Sequence, residues 1–118
     1  MLSKDDILKC KVLEQETVPV PEWGGEVTVR EMTGAERDAW ECAIHHGGVK
    51  NFDNIRARLA AISIVDDDGN KVFTLASIEE LGELSGKALD RIFGVAKRLS
   101  GIGNKEIGLL KKNLKITR

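Results

Sequence analysis

Apolar and polar residues alternate along residues 11–21 and again along residues 26–32, with Glu22-Trp23-Gly24-Gly25 between the two runs. A period of two marks a strand with one face buried. In the first run Val12, Glu14, Glu16, Val18 and Val20 share a face that is apolar only toward its ends. Pro19 and Pro21 each remove a backbone donor, which places this run at a sheet edge. In the second run Val27 and Val29 alternate with Thr28 and Arg30. The Trp-Gly-Gly sequence supplies the positive φ that a tight turn needs. The expected element is a β-hairpin over residues 12–32 or so.

Beyond the hairpin the period changes to that of helices. Thr33 and Glu36 stand at capping-box spacing, each placed to bind the other's backbone amide. The helix they open carries Ala39, Trp40, Ala43 and Ile44 on one face, and Gly47-Gly48 stops it with His45 and His46 in its last turn. Phe52, Ile55, Leu59 and Ile62 form the stripe of a second helix, ended by Asp67-Asp68-Gly69-Asn70. Val72-Phe73 is expected to pair briefly with Ile64-Val65 across that turn. Ser77 with Glu80 predicts a short helix through Leu84. Ser85 opens a longer one with Leu89, Ile92, Phe93, Ala96 and Leu99 as its stripe, ending at Gly101. Asn104 is placed to cap a last helix bearing Ile107, Leu110 and Leu114. At the other end Ser3 and Asp6 predict a short helix reaching Cys10. The whole reads as α+β: an N-terminal β-hairpin, then a mainly α-helical body over residues 34–114 or so.

The chain has 118 residues, enough for one domain and for a core that needs no metal or disulfide. No Pro-rich linker or repeat divides it, so residues 1–118 are expected to form a single domain. Cys10 and Cys42 are the only cysteines, and Met1-Leu2-Ser3-Lys4-Asp5-Asp6 has acids where a secretory leader is apolar. The longest nearly apolar run, Leu59 to Val65, is far short of a membrane span. These features predict a cytoplasmic protein with reduced thiols and no membrane partner.

Net charge is −1, but it is segregated: −6 over residues 14–41 and +7 over residues 87–118. Such a split either marks a polyanion-binding end or lets acidic and basic segments face each other in the fold. The second is expected, because the chain as a whole is not basic. With five aromatics and no Tyr, a stacking platform for single strands is not expected.

Candidate chemistry fails on spacing. An EF-hand loop with Gly69 at its sixth position would have Ile64 first and Leu75 twelfth, so both end ligands are missing. Cys42, His45 and His46 could offer zinc donors with Cys10, but 45 and 46 diverge on a helix and no Cys-x-x-Cys knuckle is present. Cys42 with either His is the only thiol–imidazole pairing, and helical neighbours seldom point at one another as nucleophile and base must. No P-loop or Gly-x-Ser-x-Gly occurs. The expectation is a protein that is not an enzyme and holds no metal or cofactor.

Several segments, in order, resemble the tail assembly chaperones of long-tailed, siphovirus-type bacteriophages. They are Val20-Pro21-Glu22-Trp23-Gly24-Gly25, the helix entry Val29-Arg30-Glu31-Met32-Thr33-Gly34-Ala35-Glu36-Arg37, Ile64-Val65-Asp66-Asp67-Asp68-Gly69 followed by Phe73, and Ala88-Leu89-Asp90-Arg91-Ile92-Phe93. The resemblance spans residues 18–113 or so. It implies a role in virion morphogenesis: binding the tape measure protein and keeping it soluble in the host cytoplasm until tail tube protein polymerises around it. It also implies a longer form of the chain made by a −1 ribosomal slip, for which Lys111-Lys112-Asn113 could be encoded as AAA-AAA-AAC. A homo-oligomer is compatible with it. The residues assigned to the partner surface are Trp23, Trp40 and Phe73. Trp23 leads because a hairpin turn is hard to bury, whereas Trp40 also fits the core face of its helix. The alternative is a small phage-encoded regulator that binds nucleic acid through the basic C-terminal third.

Overall fold

The computed structural model describes residues 1–46 and 54–103. Gly47-Gly48, Phe52 and the helix expected after Asn104 lie outside them. In chain order the elements are α1 (Lys4–Leu8), β1 (Gln15–Val20), a 3-10 turn (Pro21–Trp23), β2 (Gly25–Arg30), α2 (Gly34–His46), α3 (Ile55–Ser63), β3 (Ile64–Val65), a second 3-10 turn (Leu75–Ser77), α4 (Ile78–Gly82) and α5 (Gly86–Leu99).

The hairpin forms as its alternation requires. β1 and β2 pair antiparallel with Val18 opposite Val27 and Glu16 opposite Val29, which puts the valines on one side. Val18, Val20 and Val29 are buried. Pro21 starts the 3-10 turn, the Gly24 amide donates to the Pro21 carbonyl at 3.0 Å, and Gly24 reverses the chain at φ +75°. β1 is an edge strand, as its prolines demand. The hairpin is not alone, however. β3 adds to β2, with Val65 opposite Thr28 and Ile64 opposite Val29, to make a three-stranded antiparallel sheet. Val72 still reaches back to Ile64, its amide donating to the Ile64 carbonyl at 3.3 Å.

The capping boxes are in place. The Thr33 hydroxyl accepts the Glu36 amide at 3.1 Å, and the Glu36 carboxylate accepts the Thr33 amide at 2.9 Å. An N-cap of this kind contributes about 1 kcal/mol. The Ser85 hydroxyl accepts the Ala88 amide at 3.3 Å and opens α5. The expected Ser77 cap is not made. Thr74 instead caps the 3-10 turn that precedes α4, and the Ser77 hydroxyl accepts the Thr74 amide. The chain tightens into a 3-10 turn before α4, so Ser77 lies inside a turn rather than at a helix entry.

α5 packs across β1 and β2 and against α3. Most of its expected stripe is buried, namely Leu89, Ile92, Phe93 and Ala96, joined by Ala88, while Leu99 at its end is half-buried. Gly101, at φ +71°, ends it, and the Ile102 amide closes back on the Lys97 carbonyl at 2.8 Å. The stripe on α3 is wider than expected. Ile55, Ala57, Leu59, Ala60, Ala61 and Ser63 are all buried, because α5 covers one side and α4 another. The core is therefore double. A large cluster joins the sheet, α2, α3 and α5, and a small one joins Ala57 and Ala61 to Ile78 and Leu81. Phe73 packs against both.

Among the described residues part of the segregated charge meets inside the monomer, while Lys105, Lys111, Lys112, Lys115 and Arg118 lie outside them. Arg91 on α5 grips Glu22 in the hairpin turn with two bonds of 2.8 and 3.0 Å, and Arg98 reaches Glu16 at 2.7 Å. The Arg91 guanidinium bonded to Glu22, together with a backbone hydrogen bond, holds that carboxyl down to about 2. Exposed pairs like these contribute little stability but orient helix against hairpin.

Candidate partner-binding surface

Two concavities flank the short loop between β3 and α4. The first lies between α2 and α3, encloses about 260 Å³, and is lined by Ala39, Trp40, Ala43, Ile62 and Leu75 with Glu36, Arg58 and Lys71. The second is a bay of about 310 Å³ lined by Trp23, Val27, Ile64, Val65, Val72 and Phe73 with Glu26, Thr28, Asp66 and Asp67. Lys71 and Leu75 belong to the first and Val72 and Phe73 to the second, so residues 71–75 form the ridge between them.

The bay follows from the shortness of β3. That strand pairs only with Thr28 and Val29 and then turns away at Asp66. Glu26 and Val27 of β2 are left with no β3 partner, and the gap becomes the bay. Trp23, Val27 and Phe73 are half-buried apolar side chains packed on the main core, while Glu26, Asp66 and Asp67 are exposed. The bay thus combines an apolar floor with an acidic rim.

The turn that bounds it is self-contained. Asp66 Oδ1 accepts the Asp68 and Asn70 amides, each at 2.9 Å, and Gly69 takes φ +82°. The acidic run therefore has a local reason that needs no ion: a carboxylate that organises its own loop. Among the described residues no group of three or more His, Cys, Asp or Glu side chains could share a metal. Cys10 and Cys42 are free and exposed. α2 turns that side away from the core residues Trp40 and Ile44.

Glu36 holds the wall of the first groove. Burial pushes its carboxyl up, but hydrogen bonds from Lys71, the Thr33 amide and Arg30 outweigh burial and leave it below its usual range. Arg30 reaches it at 2.6 Å. One carboxylate thus ties β2, the start of α2 and the ridge together.

Of the three residues chosen from the sequence, the structure brings Trp23 and Phe73 into one bay and sets Trp40 apart. Trp40 is only 1% exposed and lies in the main core behind the α2–α3 groove, the place its position on the apolar helix face favours. A side chain closed in by its own fold has almost no surface to offer, and its place at the apolar face of α2 is the reason. Trp23 is less exposed than a turn residue was expected to be. The 3-10 turn folds its indole back onto the core, leaving it half-buried. Val72 and Leu75, the latter 73% exposed, were not assigned to the partner surface from the sequence. Their signal was present: apolar residues in a loop bounded by turn chemistry and a short helix.

The side chains gathered here form apolar floors with charged rims, acidic at the bay and of mixed sign at the groove. The sequence pattern of the phage tail assembly chaperones matches residues 7–112, and the chain belongs to that family. A solved structure described as that of the bacteriophage HK97 tail assembly chaperone is similar to it, with a TM-score of 0.61 and 25% identity, over 85% of this chain and 95% of that one. No protein of curated function matches it in sequence. Among the described residues no helix is long and apolar enough to cross a membrane.

Proposed function

We propose that this tail assembly chaperone binds the tape measure protein of its own phage and keeps it soluble in the host cytoplasm until tail tube protein polymerises around it. The observation that carries the reading is the apolar ridge of Val72 and Leu75 between two apolar concavities, on a member of the tail assembly chaperone family. A very long helical protein exposes apolar stripes when free, and a chaperone has to offer matching apolar surface. Recognition of this kind is helix-in-groove: side chains one turn apart on the partner enter neighbouring hollows. The Trp23–Phe73 bay and the α2–α3 groove on either side of the ridge are suited to that spacing. A −1 slip product of the same gene, if Lys111-Lys112-Asn113 has the slippery codons, would be a second binding form.

In the nucleic-acid alternative Arg91 and Arg98 are already engaged by Glu22 and Glu16, and the rest of the basic end from Asn104 onward lies outside the described residues. The test is co-expression of the tape measure protein with and without this chain. Soluble tape measure protein that co-purifies with the chain only in the paired culture supports the reading. Equal soluble yields in both cultures, with no co-purification, refute it. Binding should show a negative heat-capacity change, the mark of apolar burial.

A further inference from the structure

The two concavities beside the ridge differ in sign. The charged side chains lining the bay are all carboxylates, Glu26, Asp66 and Asp67, and all are exposed. Asp66 uses one oxygen within its own loop. The groove is the reverse. Its one lining carboxylate, Glu36, is shared by two cations, Arg30 and Lys71. One negative charge against two leaves a positive excess. Arg58 lines the groove too, but the excess does not depend on it. The side chains of Arg30 and Glu36 are 15% and 16% exposed, whereas that of Lys71 is 44% exposed. Lys71 is therefore the end of this network that an incoming chain meets.

The hydrogen-bonding capacity follows the same split. An ammonium has three donors, and the Glu36 contact uses one of those on Lys71. The indole N–H of Trp40, in the groove lining, is buried and has no hydrogen-bond partner. The carboxylates at the bay accept and cannot donate. The sign changes within one step of the chain: Lys71 lines the groove, and the next residue, Val72, lines the bay. A charge boundary that runs along an apolar crest distinguishes the two ends of whatever lies across it.

We propose that this surface reads direction: its occupant is an amphipathic helix whose apolar anchors straddle the ridge, with an acidic residue beside the anchor in the groove and a basic residue beside the anchor in the bay. The inference rests on the tape measure reading above and names the kind of tape measure segment that is taken. Direction matters for a partner built of long amphipathic helices, because its apolar anchors recur and do not tell one end of a stretch from the other. A segment laid the opposite way sets its acid against Glu26 and Asp67 and its base against Lys71. Like charges brought together cost affinity, so the reversed segment is rejected.

The experiment uses the full chain and overlapping labelled segments that together cover the tape measure protein of the same phage, with binding read by fluorescence anisotropy. The tightest segment should carry Asp or Glu toward one end of its apolar stripe and Lys or Arg toward the other. Exchanging those two charges within the segment should weaken binding by about tenfold or more. The difference between the two orders should shrink as salt rises. Glu26→Lys with Asp67→Lys changes two exposed side chains and should leave the melting temperature unchanged. It should reverse the choice at the bay end alone, so that a segment with Glu in place of its basic residue binds better than the natural one. Lys71→Met keeps an apolar stem without the charge, and should remove the preference for Glu over Gln at the acidic position of the segment. If Lys71→Met melts early, the bay variant decides alone. Segments that bind equally with their charges in either order overturn the proposal and leave the tape measure reading standing. So does a Glu26→Lys, Asp67→Lys chain that chooses segments as the wild type does, or a full set of segments that fail to bind while co-expression still keeps the tape measure protein soluble. If no segment binds and co-expression gives no gain in soluble tape measure protein, the tape measure reading falls and this inference with it.

Discussion

Trp40 and Phe93 stand in one region of the molecule, Trp23 and Phe73 in another, and the two pairs are treated differently by the same fold. Trp40 and Phe93 sit on helical stripes, and both are closed over by facing elements. Arg56 and Lys97 cover the Phe93 ring from outside, with their charged ends 5.8 and 5.5 Å from its centroid. Trp23 and Phe73 sit in connections, one in a 3-10 turn and one in a loop, and each is half-buried. A helix places each residue of a stripe against a neighbour's stripe, so burial is complete. A connection can lay an aromatic onto the core from one side only. The first pair holds the fold together, and the second leaves a usable face.

The largest test of that contrast is Phe93→Ala. Removing a ring from the main cluster should cost about 3–5 kcal/mol, a large share of a total near 5–15 kcal/mol. A thermal melt within a few degrees of wild type would break the comparison at its core end. The next is Trp23→Ala. It should weaken binding of the tape measure protein by about 2 kcal/mol and cost about 1 kcal/mol of stability, since the indole also packs on the core. Titration calorimetry beside a melt separates the two, and a stability loss as large as that of Phe93→Ala would erase the distinction. Leu75→Ser acts on the ridge alone. It should reduce the same binding by about 1 kcal/mol while the melting temperature holds.

The smallest effect lies in acid. Glu22 is held at about 2 against a usual 4.5, so its carboxylate favours the folded chain at neutral pH. Its contribution is complete above its unfolded value and fades as pH falls through the interval toward 2. Glu36, also lowered, adds to the same slope. Glu22→Gln should flatten the fall of stability between about pH 5 and 2, measured by denaturant unfolding at several pH values. An unchanged slope would mean that the Arg91 contact is not kept in solution.

How far each region could be foreseen from the sequence depends on how local its causes are. The capping pairs at Thr33 and Ser85, the Gly24 turn, the edge position of β1 and the α5 stripe each rest on residues within one or two turns of each other. Period, cap and glycine chemistry decide such features before the chain is compact. The same holds for α1, whose box at Ser3 and Asp6 needs no tertiary contact. The tape measure and nucleic-acid readings came from wider features, order of segments in the one case and charge balance in the other. In the fold Arg91 and Arg98 of the basic segment face Glu22 and Glu16.

What tertiary structure alone decided is the bay. Its existence depends on β3 stopping after two residues, on Phe73 bridging two clusters, and on the Trp23 indole folding inward. Each joins positions dozens of residues apart, and no local pattern weighs such contacts, because loop closure and packing select among many pairings that the same strands and helices would allow. The sequence could name Trp23, Trp40 and Phe73 as large apolar residues worth attention. The apolar face of α2 already pointed Trp40 to the core, and only the folded chain could set Trp23 and Phe73 side by side beneath three carboxylates.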